Sequence, residues 1–268
     1  LVTTYAGTSG QSGSADGAGS SARFKAPEDI AVDLNGIVYV ADTGNHTIRK
    51  ITPDGTVTTL AGQAGKSGTA DGAASAALFD SPGRLTVDTQ GTVYLWNQGL
   101  RKIAGDQVTT IQIPSQAIDR DGRIITVITY GTPAVDLTGH LYFRGHLSGS
   151  DRSESPRVFK LDSARNLTAL NTPPPPHTEL GWWDQEIFND VNGNLYVTHS
   201  YRGLGGTAGQ YTGHALLPDG SSSSPGANFK SALGDIANPR GFAVDLRAGR
   251  WLYTRESDSA IVDSNDLV

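Results

Sequence analysis

Glu28, Arg84, Trp183, Asp184, Glu186 and Arg240 stand just before or within short apolar segments. Asp42, Asn97, Arg144, His199 and Arg255 stand at the far ends of similar segments. Carboxylates, guanidinium groups and an exposed Trp at one opening suit recognition of a sugar or a peptide. The carboxylates and arginines would hydrogen-bond hydroxyl or amide groups, and the indole would stack on an apolar ring face. The competing expectation is that these side chains pair with one another as a solvated rim. The chain has no Cys, which removes thiolate nucleophiles, disulfides and Cys-ligated metals. No Ser in a strained strand-to-helix elbow and no phosphate-cradling loop before a helix is present, so neither of those reactive arrangements applies.

The segments that would carry these residues repeat. Ala31-Val32-Asp33-Leu34-Asn35-Gly36-Ile37-Val38-Tyr39-Val40 returns as Thr86–Leu95, Ala134–Phe143, Asn189–Val197 and Ala243–Tyr253. The marker aspartates fall at 33, 88, 136, 190 and 245, a period of roughly 50 residues. Each marker Asp lies in Asp-x-x-Gly between two β-rich runs, so it is read as a turn cap and not as one of a ring of ligands. In the first repeat the alternation and turn residues predict strands over 29–33, 37–41, 47–51 and 57–60. Val2-Thr3-Thr4-Tyr5-Ala6-Gly7 matches Val57-Thr58-Thr59-Leu60-Ala61-Gly62, so the chain begins on a fourth strand. The expected fold is all-β, a single domain over 1–268. It is a β-propeller of five four-stranded blades, six fitting the sequence less well, closed by the N-terminal strand completing the last blade. Segments 7–27, 62–82, 114–133 and 221–239 are read as connectors, and 145–157 and 199–214 as long second-to-third loops. Both sets fall on one face, where a binding site is expected.

The units resemble the NHL-repeat β-propellers, in the bacterial form with glycine-rich connectors. Tyr5-Ala6-Gly7, Asp16-Gly17, Ala22-Arg23-Phe24, Pro27, Ala31-Val32-Asp33, Val38-Tyr39-Val40-Ala41-Asp42, Asn45-His46, Ile48-Arg49-Lys50-Ile51 and Thr59-Leu60-Ala61-Gly62 carry the resemblance. It is strong over 1–105 and thins to the hairpin phrase beyond. Such propellers serve as enzymes and as docking platforms. The lactonases among them hold a divalent cation with Glu, Asn and Asp from different blades. Glu28, Asn97 and Asp184 imitate that set, with oxygen ligands suited to calcium, although Arg84 and Arg240 at the same rim oppose a cation there. The zinc-bearing lyases need three His from separate blades, and His199 is the one His placed at such a position. The leading expectation is therefore a non-catalytic binding or structural propeller that contacts a glycan or protein, with the metal-dependent lactonase or lyase as alternative.

Bulk properties agree with that choice. The 21 basic residues are scattered in a chain of net charge −6, which disfavours nucleic acid as a partner. No apolar run approaches the length of a membrane span, so no membrane insertion is expected. Low charge, abundant Ser and Thr, and the absence of Met and Cys lead to the expectation of a secreted or cell-surface protein, with one protomer of a larger extracellular assembly as a structural variant. Asn45-His46-Thr47 and Asn166-Leu167-Thr168 are candidate glycosylation sequons.

Overall fold

The computed structural model describes residues 2–119, 121–147, 157–170, 183–189, 194–201, 210–216, 222–223, 242–245, 250–255 and 260–264. Their regular secondary structure is strand apart from two single-turn 3-10 helices, Gly19–Ser21 and Thr43–Asn45. The chain divides into two compact units, one comprising Leu1–Gln112, Asp190–Asn192 and Ala237–Val268, the other Ile113–Asn189 and Gly193–Ile236.

The first unit holds three antiparallel sheets. Sheet I is built from Asp29–Val32, Val38–Asp42, Thr47–Ile51 and Thr56–Gly62. Sheet II repeats it with Leu85–Val87, Val93–Trp96, Leu100–Ala104 and Gln107–Ile111. A third sheet, V, contains Phe242–Asp245, Arg250–Arg255 and Ala260–Ser264, with Val2–Ala6 as its outer strand. There Val2 lies opposite Ser264 and Thr4 opposite Val262.

Sheet I is buried on both faces. Ala31, Tyr39, Ala41 and Ile48 pack with Phe79, Leu85, Val93 and Leu95. From its other face Ile30, Val32, Val38 and Val40 pack with Ala6, Phe24 and Val57. Adjacent residues of a strand point to opposite faces, so a strand covered on both sides must be apolar throughout. Each fully buried aliphatic side chain here contributes about 1.5–3 kcal/mol.

The marker aspartates Asp33, Asp88 and Asp136 are turn caps. Asp33 Oδ1 accepts the backbone N–H groups of Asn35 at 2.8 Å and Ile37 at 3.0 Å, while Oδ2 accepts the Tyr39 hydroxyl at 3.3 Å. Gly36, at φ +76°, supplies the left-handed residue that closes the turn. Asp88 binds Gln90, Thr92 and Tyr94 in the same way, and Asp136 binds Thr138, His140 and Tyr142.

This arrangement has a measurable consequence. Burial, reinforced by the adjacent carboxylate, raises the phenols of Tyr39 and Tyr142 above the ordinary value and pushes Tyr94 up to about 12. A folded value above the unfolded one means that stability is fully present below about pH 10 and is lost as pH rises through the folded values. Absorbance at 295 nm is therefore expected to show at least three of the nine tyrosines ionising only as the fold is lost. Complete ionisation near pH 10 in an intact fold is the contrary result.

Two expectations about the connectors are corrected. The glycine-rich segments 7–27 and 62–82 are not loops throughout: Gly17–Ala18 and Gly72–Ala73 form short strands on the outer edges of sheets I and II, which are thus five-stranded. Gly17 pairs with Val57 and Gly72 with Val108. Segment 114–133 departs further. In the second unit it becomes Gln116–Ile118 and most of Ile124–Val135, and it joins Leu141–Leu147, Arg157–Leu161 and Leu167–Ala169 in sheet III. That sheet closes on itself through Ile118 opposite Thr168. The physical reason is composition: Ile124-Ile125-Thr126-Val127-Ile128-Thr129 is a β-branched run without glycine.

Sheet IV, also of the second unit, holds Trp183–Asn189, Leu195–Tyr201, Gln210–Leu216 and Ser222–Ser223. Ala134, Tyr142 and Val158 of sheet III pack with Ile187 and Leu195 of sheet IV. The long loop expected over 199–214 is shorter, because Tyr201 still pairs with Gln210. Likewise Gly145 pairs with Arg157, leaving 148–156 between those strands outside the described residues.

Candidate functional site

The glycine-rich connectors are held by two buried arginines. Arg49, on the third strand of sheet I, has a side chain with no exposed surface. Its Nη1 donates to Asp42 Oδ2 at 2.8 Å and to the Arg23 carbonyl at 2.9 Å. Its Nη2 donates to Asp16 Oδ1 at 2.6 Å and to the Ala15 carbonyl at 2.9 Å. The Phe24 ring covers the guanidinium at 5.2 Å from its centroid. Asp16 is not only a counter-charge, since it also accepts the Thr59 N–H and hydroxyl, both at 3.1 Å. One carboxylate thus ties the connector to the buried cation and to the outer strand.

Sheet II repeats the clamp with one change. Arg101 donates to Asp71 Oδ1 at 2.7 Å, and to the carbonyls of Ala70 and Leu78, each at 2.9 Å. Phe79 covers it at 4.9 Å. Asp71 also takes the Thr110 N–H at 2.8 Å and its hydroxyl at 3.2 Å. Where Arg49 has Asp42, however, Arg101 meets the neutral Asn97, whose Oδ1 lies 3.4 Å away. In sheet III the register puts Gly145 and Phe159 where Asp42 and Arg49 stand in sheet I. A Cβ on Gly145 would lie 2.7 Å from the Phe159 ring, which fills the space of the guanidinium. Among the described residues sheet III has no buried arginine at this position, and its connector has become strand.

These clamps decide the standing of several rim candidates. Asp42 is fully buried, and its carboxylate takes the Lys25 N–H at 2.7 Å, the Asn45 amide at 2.8 Å and Arg49. Burial pushes this carboxyl up, against the pull of those three donors. Asn97 is buried as well; its amide donates to the Asp80 carbonyl at 2.5 Å, and its Oδ1 accepts the Asp80 N–H at 3.3 Å. Both side chains face the framework.

Glu28 and Arg84 are half-buried and immediately precede the first strands of sheets I and II. The Glu28 carboxylate lies 3.5–3.6 Å from where a Cβ on Gly83 would stand, so the structure brings Glu28 beside the Gly83–Arg84 segment. Asp29 reinforces the junction by accepting the Leu85 N–H at 2.9 Å. Trp183, Asp184 and Glu186 lie at the start of the first strand of sheet IV. His199 is inside the next strand opposite Thr212, not at its end. Arg240 lies outside the described residues.

The calcium set suggested by the resemblance does not fit. Asn97 Oδ1 is turned toward Asp80 N–H and the Arg101 guanidinium, and a cation there would meet a buried positive charge. Among the described residues no three His, Asp or Glu side chains converge as a metal site requires. His140 has Asp136 at 3.1 Å and Thr138 at 2.6 Å, but both contacts are made by Nδ1. A nucleophile–base–acid relay needs the two ring nitrogens to serve different partners, so this cluster stiffens a turn.

The sequons differ in access. Asn45 is buried, and its amide donates to the Gly13 carbonyl at 2.6 Å as well as to Asp42. Asn166 is exposed in the turn after Arg157–Leu161, with its amide on Asp162 at 2.9 Å.

Sequence reasoning missed the two arginines, which look like exposed members of alternating strands. The available signal was that each follows an Ala-Asp-Gly by about the same interval, 33 residues for Asp16–Arg49 and 30 for Asp71–Arg101.

Residues 24–51 match the NHL repeat, so the chain carries that repeat across the first three strands of sheet I. No curated protein matches the sequence. Among solved structures, an auxiliary nutrient binding protein from Bacteroides thetaiotaomicron is similar at TM-score 0.54 and 14% identity, over 98% of this chain and 75% of that one. A streptogramin B lyase is similar at TM-score 0.49 and 11% identity, over 98% of this chain and 96% of that one. A gluconolactonase from Xanthomonas campestris is similar at TM-score 0.47 and 14% identity, over 90% and 75% of the two chains. At such identities a likeness bears on fold alone, and the first of the three carries it.

Proposed function

We propose that the chain is a non-catalytic binding domain, secreted or on the cell surface, whose long-loop face contacts a glycan or a protein. The observation that carries this reading is the pair of arginine clamps. They hold segments 7–27 and 62–82 in fixed conformations at the cost of burying two cations, which a mere linker would not require. Loops fixed before the ligand arrives lose less entropy on binding. The reading includes five blades closed by Val2–Ala6, and the pairing of that strand with Ala260–Ser264 supports it. Glu28, Arg84, Trp183, Asp184, Glu186, His199 and Arg240 are the proposed ligand-facing set, whereas Asp42 and Asn97 act through the clamps. The nutrient-binding relative offers a precedent for a binder on this fold but no ligand.

The test is a glycan array and a protein pull-down with the full chain, followed by titration of whatever binds. Arg84→Ala and Trp183→Ala are each expected to weaken binding by about tenfold or more, in the range of an anchor residue. Absence of any ligand, or unchanged binding in both variants, overturns the proposal. Turnover of a lactone that depends on an added divalent ion would establish the enzymatic alternative instead.

A further inference from the structure

The turn after the second strand of sheet I receives the second connector at three points. Thr43 Oγ1 donates to the Pro82 carbonyl at 2.6 Å, and the Gly65 N–H donates to the Asn45 carbonyl at 3.1 Å. The third contact is of a different kind: the Ser81 N–H donates to His46 Nδ1 at 3.0 Å. Both residues of this last pair hold left-handed backbone, His46 at φ +60° and Ser81 at φ +50°. Ser81 also precedes Pro82, a place where the ring of the proline restricts the backbone further. A conformation of this sort persists only where surrounding bonds enforce it.

We propose that His46 is a pH-sensitive clasp on connector 62–82: the neutral imidazole holds the Ser81 amide, and protonation lets it go. Nδ1 can accept the amide hydrogen only while it carries no proton. When it takes one from solvent, both ring nitrogens become donors and the contact sets one N–H against another. The other two contacts involve a hydroxyl and carbonyls, which do not titrate. The charged and titratable groups on the elements meeting here are Lys25, Asp42 and Arg49 on the side of sheet I, and Lys66, Asp71 and Asp80 on the connector. Asp42 holds Arg49, Asp71 holds Arg101 and accepts the Thr110 N–H, Lys66 donates to Gln63 at 2.7 Å, Asp80 accepts from Ser67 and Gln98, and Lys25 is exposed to solvent. Release of Ser81 frees the end of the connector that leads into Gly83 and Arg84, next to Glu28. The clasp acts on the connector whichever ligand the loop face takes.

Amide hydrogen exchange of Ser81 in the full chain tests it, expressed as a protection factor at about pH 8 and about pH 5, which bracket the range where histidines titrate. Protection of Ser81 is expected to fall about tenfold or more at the lower pH while that of Gly65 holds. In His46→Asn the Oδ1 occupies the place of Nδ1, accepts the same hydrogen bond, tolerates left-handed backbone and does not titrate. Protection of Ser81 in this variant is expected to be the same at both pH values. Equal protection at both pH values in the unmodified chain overturns the proposal. So does an equal fall in His46→Asn, or a fall shared by Gly65, which would report general loosening.

Discussion

Asp71→Ala is expected to lower stability by about 3 kcal/mol in urea denaturation, roughly twice the loss from Asp16→Ala. The two carboxylates do the same work: each reaches from a connector to a buried guanidinium and to an outer-strand Thr. What differs is what remains. Without Asp16, Arg49 keeps Asp42, which is as buried as the arginine itself. Without Asp71, Arg101 retains only carbonyls, the long contact to Asn97 and the Phe79 ring. A buried cation that loses its counter-charge costs about 3–5 kcal/mol. The lower end applies because the Asp71 side chain is 42% exposed, so solvent already screens part of the pair. Equal losses in the two variants would show that Asp42 does not support Arg49.

The second large effect is expected at Gly62, which ends the outer strand of sheet I and starts the second connector. Its φ of +93° is one that side chains rarely adopt, and a Cβ there would stand 2.6 Å from the His46 carbonyl oxygen and 3.0 Å from the Phe79 ring. Neither neighbour can yield: the first is backbone at the base of the clasp, and the second covers Arg101. Gly62→Ala is expected to cost about 3 kcal/mol or more, combining backbone strain with overpacking. Gly10→Ala separates the two causes. Gly10 also has positive φ, +74°, but nothing lies within 4 Å of its added Cβ, so strain alone should cost about 1 kcal/mol. Thermal or chemical unfolding of both variants measures the difference. Similar losses would mean that the close approach at Gly62 relaxes freely.

The hairpins were legible in the sequence because their determinants are local. In Asp33-Leu34-Asn35-Gly36 the cap, its donors and the left-handed glycine lie within four consecutive residues, and the same phrase recurs with its Tyr. The clamps were not legible, because Asp16 and Arg49 meet only after sheet I has formed. Alternation misled at Arg49 for a physical reason. In a sheet covered on both sides, pointing away from one core means pointing into another, so Arg49 is sealed while Lys50 stays half-exposed. Asp42 and Asn97 looked like rim ligands for the same reason; their partner lies on the adjacent strand, seven and four residues on. Segment 114–133 was read by analogy with the glycine-rich connectors. Asp119 of this segment caps its own turn through the Asp121 and Arg123 N–H groups, and Phe159 stands where the clamp has its Arg, so no clamp fixes the segment as they are fixed, and its β-branched run forms strands. Glu28 beside Gly83–Arg84 is the part of the expected rim that the fold brings together.

A double-mutant cycle between Asp71 and Arg101 tests most directly whether ion pairing holds the connectors in place. Asp71→Ala, Arg101→Leu and the double variant are compared by urea denaturation. Leaving both partners out removes the stranded charge, so the double variant is expected to be more stable than the sum of single losses predicts, with a coupling of about 2 kcal/mol. Losses that add to within about 0.5 kcal/mol would contradict the clamp and the prebuilt loop face that rests on it.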